Sequence, residues 1–336
     1  MTRPRRFPFP AATKTGALAV AAAALSISCG RDVADHPPAA APPKTTAAET
    51  PAEPALPFEE ALIRDAGLDR FEDALRHVIR PGLRLRLNAA GQLAPANSRF
   101  GGLPDVPAKF AWPLVDGAEP MCFLAQINLA EFADFDSALP PQGILYFFCG
   151  PDILPAGETS WWEVRYVADT TTLQPAARPA SLLDDCAAAA QRVDFVPERT
   201  LPGPRSHVLD QMGMPLEMRL AYVERIARPW YGQFVGRGLE TASDDRMLGH
   251  PLELQGPMQV DCFIRKRWPD HIPESVSDSD FDDAMAQARQ DVDNWVLLLQ
   301  CDAKRISRDR GSVYFWIHRD DLKQGDFEKV LCFVQN

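Results

Sequence analysis

Phe123-Leu-Ala-Gln-Ile-Asn128, followed after a loop by Gly143-Ile-Leu-Tyr-Phe-Phe148, decides the fold. Each run is short, apolar and closed by a loop, which is the length and character of a buried strand rather than a helix. Together they predict an antiparallel hairpin. The pattern returns as Leu297-Leu-Leu-Gln-Cys-Asp302 and Gly311-Ser-Val-Tyr-Phe-Trp316. Upstream of each lies a second echo, Arg99-Phe-Gly-Gly-Leu-Pro104 against Met247-Leu-Gly-His-Pro251. Recurrence in the same order predicts two duplicated strand-loop-strand units that close one core.

Working outward, Leu83, Leu85 and Leu87 alternate with Arg84 and Arg86, a strand with one buried face. Further strand-like runs are Trp162 to Val167, Gln259 to Ile264, Trp295 to Cys301, Ser312 to His318 and Lys329 to Val334. Helical spacing covers Pro57 to Ile79, ended by Pro81-Gly82, and also Pro215 to Ala227 and Phe281 to Val292. The expected fold class is α+β: a single domain with antiparallel or mixed sheets and peripheral helices.

The N-terminus carries Arg3, Arg5, Arg6 and Lys14, then an apolar run from Ala17 through Ile27, then Ser28-Cys29-Gly30. A run of about 12 residues is too short to cross the hydrocarbon of a bilayer, which takes roughly 20. Residues 1–29 therefore read as a secretion signal, and Leu25-Ser26-Ile27-Ser28-Cys29 resembles the bacterial lipobox, with Ser26 where an aliphatic residue is usual. Lipidation of Cys29 is one reading and an ordinary cleaved signal is the other. Gly30 in place of an inner-membrane retention aspartate points the lipidated form to the outer membrane, on the periplasmic face of the cell envelope. Residues 30–57, rich in Ala, Pro, Thr and Glu, are too poor in large apolar side chains to offset their ordering entropy and predict a disordered tether. The domain then spans residues 58–336.

The net charge of -11, with no basic cluster beyond the extreme N-terminus, argues against a nucleic-acid partner and leaves a protein or small-molecule ligand. Seven cysteines leave six if Cys29 is acylated, an even number in a compartment that permits disulfides. Cys122 and Cys149 fall opposite each other at the open end of the predicted hairpin and could be bridged; as members of apolar runs they could equally be small buried hydrophobes.

Ser98-Arg-Phe-Gly-Gly-Leu-Pro-Asp105, Phe110-Ala-Trp-Pro113, Phe123 to Leu129, Gly143 to Phe148, Leu254-Gln-Gly256 and Trp295 to Gln300 together resemble the YwqG-like family of bacterial proteins, a domain of unknown function. The resemblance runs from about residue 58 to the end. It implies a single duplicated domain without a settled activity, with binding roles, toxin immunity among them. The chain departs from the pattern at Ser307-Arg-Asp-Arg-Gly311, where the family carries a Trp-Gly-Asp-Ala-Gly-like stretch, and in its added N-terminal signal.

Candidate binding residues follow from the echoes. Gln126 with Asn128, and Gln300 with Asp302, are two apart on strands, so each pair points to one sheet face. Four such groups could line a shared cleft, or they could pair buried backbone groups. Arg99 with the Gly101-Gly102 turn could meet an anion, and Gln255 occupies the corresponding second loop; a tight chain reversal explains the glycines equally well. Asp278, Asp280, Asp282 and Asp283 fail as a calcium loop, because Asp283 stands where glycine is needed and Arg289 where a bidentate glutamate is needed; they suit a helix N-terminus instead. No zinc spacing, nucleophile elbow or phosphate loop is present, so no catalytic residue, metal or cofactor is assigned. The expectation is an envelope-tethered binding protein. A hydrolase using carboxylates such as Asp302 and Asp309, and a toxin-immunity protein, are the alternatives.

Overall fold

The computed structural model describes residues 62–89, 93–135, 137–150, 162–186, 188–232, 245–269, 271–305 and 311–335. The expected signal and tether lie outside these residues. In chain order the strands are β1 (Arg80–Ala89), β2 (Arg99–Phe100), β3 (Asp105–Val106), β4 (Leu114–Val115), β5 (Glu119–Pro120), β6 (Cys122–Asn128) and β7 (Ile144–Cys149). They continue as β8 (Trp162–Val167), β9 (Gln174–Pro175), β10 (Gln191–Thr200), β11 (Arg246–Leu248), β12 (Trp295–Asp302), β13 (Ser312–His318) and β14 (Leu331–Gln335).

Ten of them form one sheet in the order β14-β13-β12-β11-β1-β10-β2-β6-β7-β8. Every neighbouring pair is antiparallel. The long β1–β10 pair occupies the centre, and a three-stranded meander stands at each end. The sheet curls until its two edges nearly meet: the Trp162 indole N–H of β8 donates to the Val330 carbonyl beside β14 at 2.8 Å, and the Tyr166 and Phe327 rings lie 5.2 Å apart. The fold is mixed α+β but mostly sheet, and close to a barrel.

The concave side holds the main core. Leu83, Leu85, Leu145, Phe147, Leu299, Val313 and Phe315 meet there, with Phe147 and Phe315 in edge contact at 5.0 Å. The convex side is covered piece by piece. Phe110 and Trp112 cover Phe123, Tyr146 and Phe148 at one end; the helix Gln259–Arg267 brings Cys262 onto Trp295, Tyr314 and Trp316 at the other. A separate helical cluster, with Leu75, Tyr222, Ile226 and Trp230 at its heart, sits beyond the end of β10. Because β6 and β7 are covered on both faces, their sequences read as continuous apolar runs, not as alternation.

Two expectations need correction, and one strand is not foretold by the sequence. Gln259 to Ile264 is helix, not strand: Met258 and Cys262 bury at helical spacing, and Arg265, Lys266 and Arg267 sit at the C-terminal turn where the helix dipole favours cations. The helix expected to run unbroken to Ile79 is interrupted by Gly67 at φ 68°; a short turn, Asp69–Phe71, leads into the helix Glu72–Val78. β10 escaped notice because Pro197 lies inside it. There β10 pairs only with β1, since β2 reaches no further than Gln191 and Arg192, and an open strand edge tolerates a missing N–H.

Candidate functional site

Gln126 is fully buried and acts on the backbone. Its Oε1 accepts from the Asp105 N–H at 2.8 Å, and its Nε2 donates to the Asn97 carbonyl at 2.8 Å. Tyr146, its partner on β7, donates from its hydroxyl to the Asp105 carbonyl at 2.6 Å. Gln300 does the corresponding work on β12: its Oε1 accepts from the Leu252 N–H at 2.9 Å, while Tyr314 across from it donates to the Leu252 carbonyl at 2.7 Å. Asn128 and Asp302 each cap the short turn that follows their strand, accepting from Ala130 N at 3.1 Å and Lys304 N at 2.9 Å. The structure does not bring the four together. β6 and β12 are separated in the sheet by β2, β10, β1 and β11.

Arg99 forms an ion pair with Asp105, and burial pulls its guanidinium below the ordinary value. The Gly101 and Gly102 N–H groups donate to Leu124 and Ala188 carbonyls, so both are already engaged. A β-carbon on Gly101 would stand 2.9 Å from the Ala189 carbonyl oxygen, and this close approach is what the glycine permits. Gln255 is exposed, with its backbone N–H held by the Gln335 amide oxygen at 3.0 Å. Asp280 completes a capping box with Ser277 at the start of the helix Asp278–Asp291.

Cys122 is bonded to Cys186, not to Cys149. Cys122 and Cys149 are indeed paired across β6 and β7. The loop carrying Cys186 is folded back onto the end of β6, with a Cα–Cα separation of 4.7 Å, and takes the Cys122 sulfur. Cys149 stays a thiol inside the core beside Cys301 and Cys332, its ionisation pushed far up by burial.

That disulfide forms part of the wall of a cavity of about 290 Å³. Phe100, Phe123 and Leu124 give it apolar surface, and Asp302, Lys304 and Arg305 reach it from the far side. Arg305 is held in place three ways: an ion pair with the fully buried Asp245, a bond from Nη1 to the Gln191 amide oxygen at 3.1 Å, and its guanidinium 4.9 Å over the Phe100 ring. Asp245 also accepts from the Asp302 N–H at 3.0 Å, which ties the Asp302–Arg305 turn to β11. Of the expected ligand-binding side chains, Asp302 alone reaches this cavity, joined by Gly101 of the expected anion turn and by Cys122. Cys186, Lys304 and Arg305 went unmarked, since nothing in their local sequence announces that four separate segments converge.

A buried group of three charges lies elsewhere. Arg84 and Arg246 face each other across β1 and β11, and Glu198 of β10 reaches both: 2.9 Å to Arg84 Nη2 and 3.7 Å to Arg246 Nη1. All three are buried, and none of them lines the cavity at the disulfide. Among those residues no cluster of His, Cys, Asp or Glu could hold a metal ion, and no helix is long and apolar enough to cross a membrane. Comparison with curated proteins gives no match. Residues 98–335, which include both clamped loops, the disulfide and the whole cavity wall, match the domain of unknown function DUF1963, and the chain belongs to that family.

Proposed function

We propose that this is an envelope-tethered protein that binds a small zwitterionic molecule, of amino-acid to dipeptide size, and carries out no reaction of its own. The cavity at the Cys122–Cys186 bond carries the reading. Its volume of about 290 Å³ suits a small ligand, and its apolar surface beside two carboxylates, Asp185 and Asp302, and two cations, Lys304 and Arg305, matches a molecule bearing both charges. Arg305 is fixed before any ligand arrives, so little ordering cost falls on binding. Export is supported by the charged, apolar and cysteine-terminated N-terminus together with a disulfide, a bond that persists in oxidising compartments. The hydrolase alternative loses ground because the Asp302 carboxylate caps its own turn; Asp309 lies outside the described residues.

The family assignment extends, in this reading, to the YwqG-like proteins and to a duplicated domain. The matched detail of β6–β7 and β12–β13 supports the duplication. Both ladders shift register at the same place, between Phe123 and Ala125 and between Leu297 and Leu299, and each then presents the glutamine–tyrosine pair that clamps a loop.

Calorimetric titration of the purified protein with the free amino acids and a dipeptide set tests the binding. At least one should bind, and Lys304→Glu should weaken it by tenfold or more; a panel with no binder overturns the reading. For the tether, mass spectrometry of the protein from its host should find an acylated Cys29 N-terminus, and an intact Met1 would refute export.

A further inference from the structure

Cys149 stands directly across the β6–β7 ladder from Cys122. Their neighbours Phe123 and Phe148, also a cross-strand pair, pack together on the convex side with ring centroids 5.5 Å apart. Cys149 lies in the concave core, whereas Cys122 groups with Leu182 and Cys186 and against Trp112. Directly opposed residues in an antiparallel pair have Cα atoms roughly 4.5–5.5 Å apart, inside the range a disulfide spans. Cys122 therefore has two cysteines whose Cα atoms stand within the range of a disulfide, one across the ladder and one in the Asp184–Cys186 turn, and is bonded to the second.

We propose that Cys149 is the alternative disulfide partner of Cys122, and that the bond in the cavity wall exchanges between Cys186 and Cys149. The Cys149 thiol gives up its proton and its sulfur attacks Cys122 Sγ. The Cys122–Cys186 bond breaks, and Cys186 leaves as a thiolate that takes up a proton. One sulfur–sulfur bond forms and one breaks, so no outside oxidant or reductant is consumed. The leaving sulfur faces the cavity that Lys304 and Arg305 also line, and nearby cations favour a departing thiolate. Burial keeps Cys149 protonated, so the bond to Cys186 is the resting state and exchange belongs to brief openings of the strand end. Exchange also unhooks the Asp184–Cys186 turn from β6, loosening one wall of the cavity; its effect on ligand depends on the binding function proposed above, whereas the exchange itself does not.

The test reads disulfide connectivity and needs no ligand. The full chain is incubated at mildly alkaline pH with a trace of glutathione, quenched in acid, digested with chymotrypsin and mapped by mass spectrometry. The wild type should give a major Cys122–Cys186 link and a minor Cys122–Cys149 link, the minor one absent from Cys149→Ser. Cys186→Ser, oxidised with glutathione disulfide, should move fully to Cys122–Cys149. A wild-type map that holds only Cys122–Cys186 at every time point overturns the proposal, whether or not Cys186→Ser folds.

Discussion

Glu253 lies so close to Gly203 that a β-carbon on the glycine would stand 2.8 Å from the Glu253 Oε2. The carboxyl is 7% exposed and neither oxygen has a hydrogen-bond partner among the described residues. Burial, with Asp210 adding to it, pushes the group up to about 8 from its ordinary value of 4.5. The folded chain thus holds a proton that the unfolded chain has released. Stability is whole below pH 4.5 and falls as pH rises toward 8, by up to about 1.4 kcal/mol per unit. Glu253→Gln should abolish that decline. Denaturant unfolding at half-unit pH steps checks it; an unchanged slope in the variant would show that the charge is accommodated.

His250 acts in the opposite sense. It is 2% exposed and its Nε2–H donates to the Val78 carbonyl at 2.6 Å. Burial first, and then the Arg80 charge, lower its value from 6.5 to about 3. Its contribution is present above pH 6.5 and is lost as pH falls toward 3. Between 4.5 and 6.5 the two slopes cancel, so these groups together predict a flat stability profile there, falling on either side. His250→Gln, which keeps an N–H donor, should remove the acid limb and leave the alkaline one.

How far the sequence foretold this molecule depended on whether one segment sufficed. The apolar runs of β6, β7 and β13 announce themselves because both faces are covered, and the expected opposition of Cys122 and Cys149 is present in the ladder. The identity of the bonded partner was beyond reach: Cys186 arrives from 64 residues away along a loop with no periodicity. The cavity was illegible for the same reason. Phe100, Leu124, Gln191 and Arg305 belong to four segments that meet only after the sheet has curled. Gln126 and Gln300 were singled out by their echo, which also marks residues that hold a fold together.

Glu198 gives a sharper stability test. It stands between two buried arginines, Arg84 and Arg246, and removing one member of a buried ion pair costs about 3–5 kcal/mol, since the remaining charges lose their compensation. Glu198→Gln keeps the shape and should lower stability by that order. Calorimetric melting of the two proteins at pH 7 provides the measurement. A loss below 1 kcal/mol would mean that other groups already neutralise the arginines.

The two glutamines allow a test of what their echo means. Gln126→Leu strands the Asp105 N–H in a buried site, and Gln300→Leu does the same to the Leu252 N–H, each at a cost of about 1–3 kcal/mol. Because β6 and β12 lie apart in the sheet with no shared partner, the double variant should lose the sum of the single losses to within about 0.5 kcal/mol. If the residues instead joined in one ligand cleft, the single variants would leave stability nearly untouched and each would remove binding. Denaturant unfolding and ligand titration of the same three proteins separate these outcomes: a loop clamp shows in the first measurement and a ligand contact in the second.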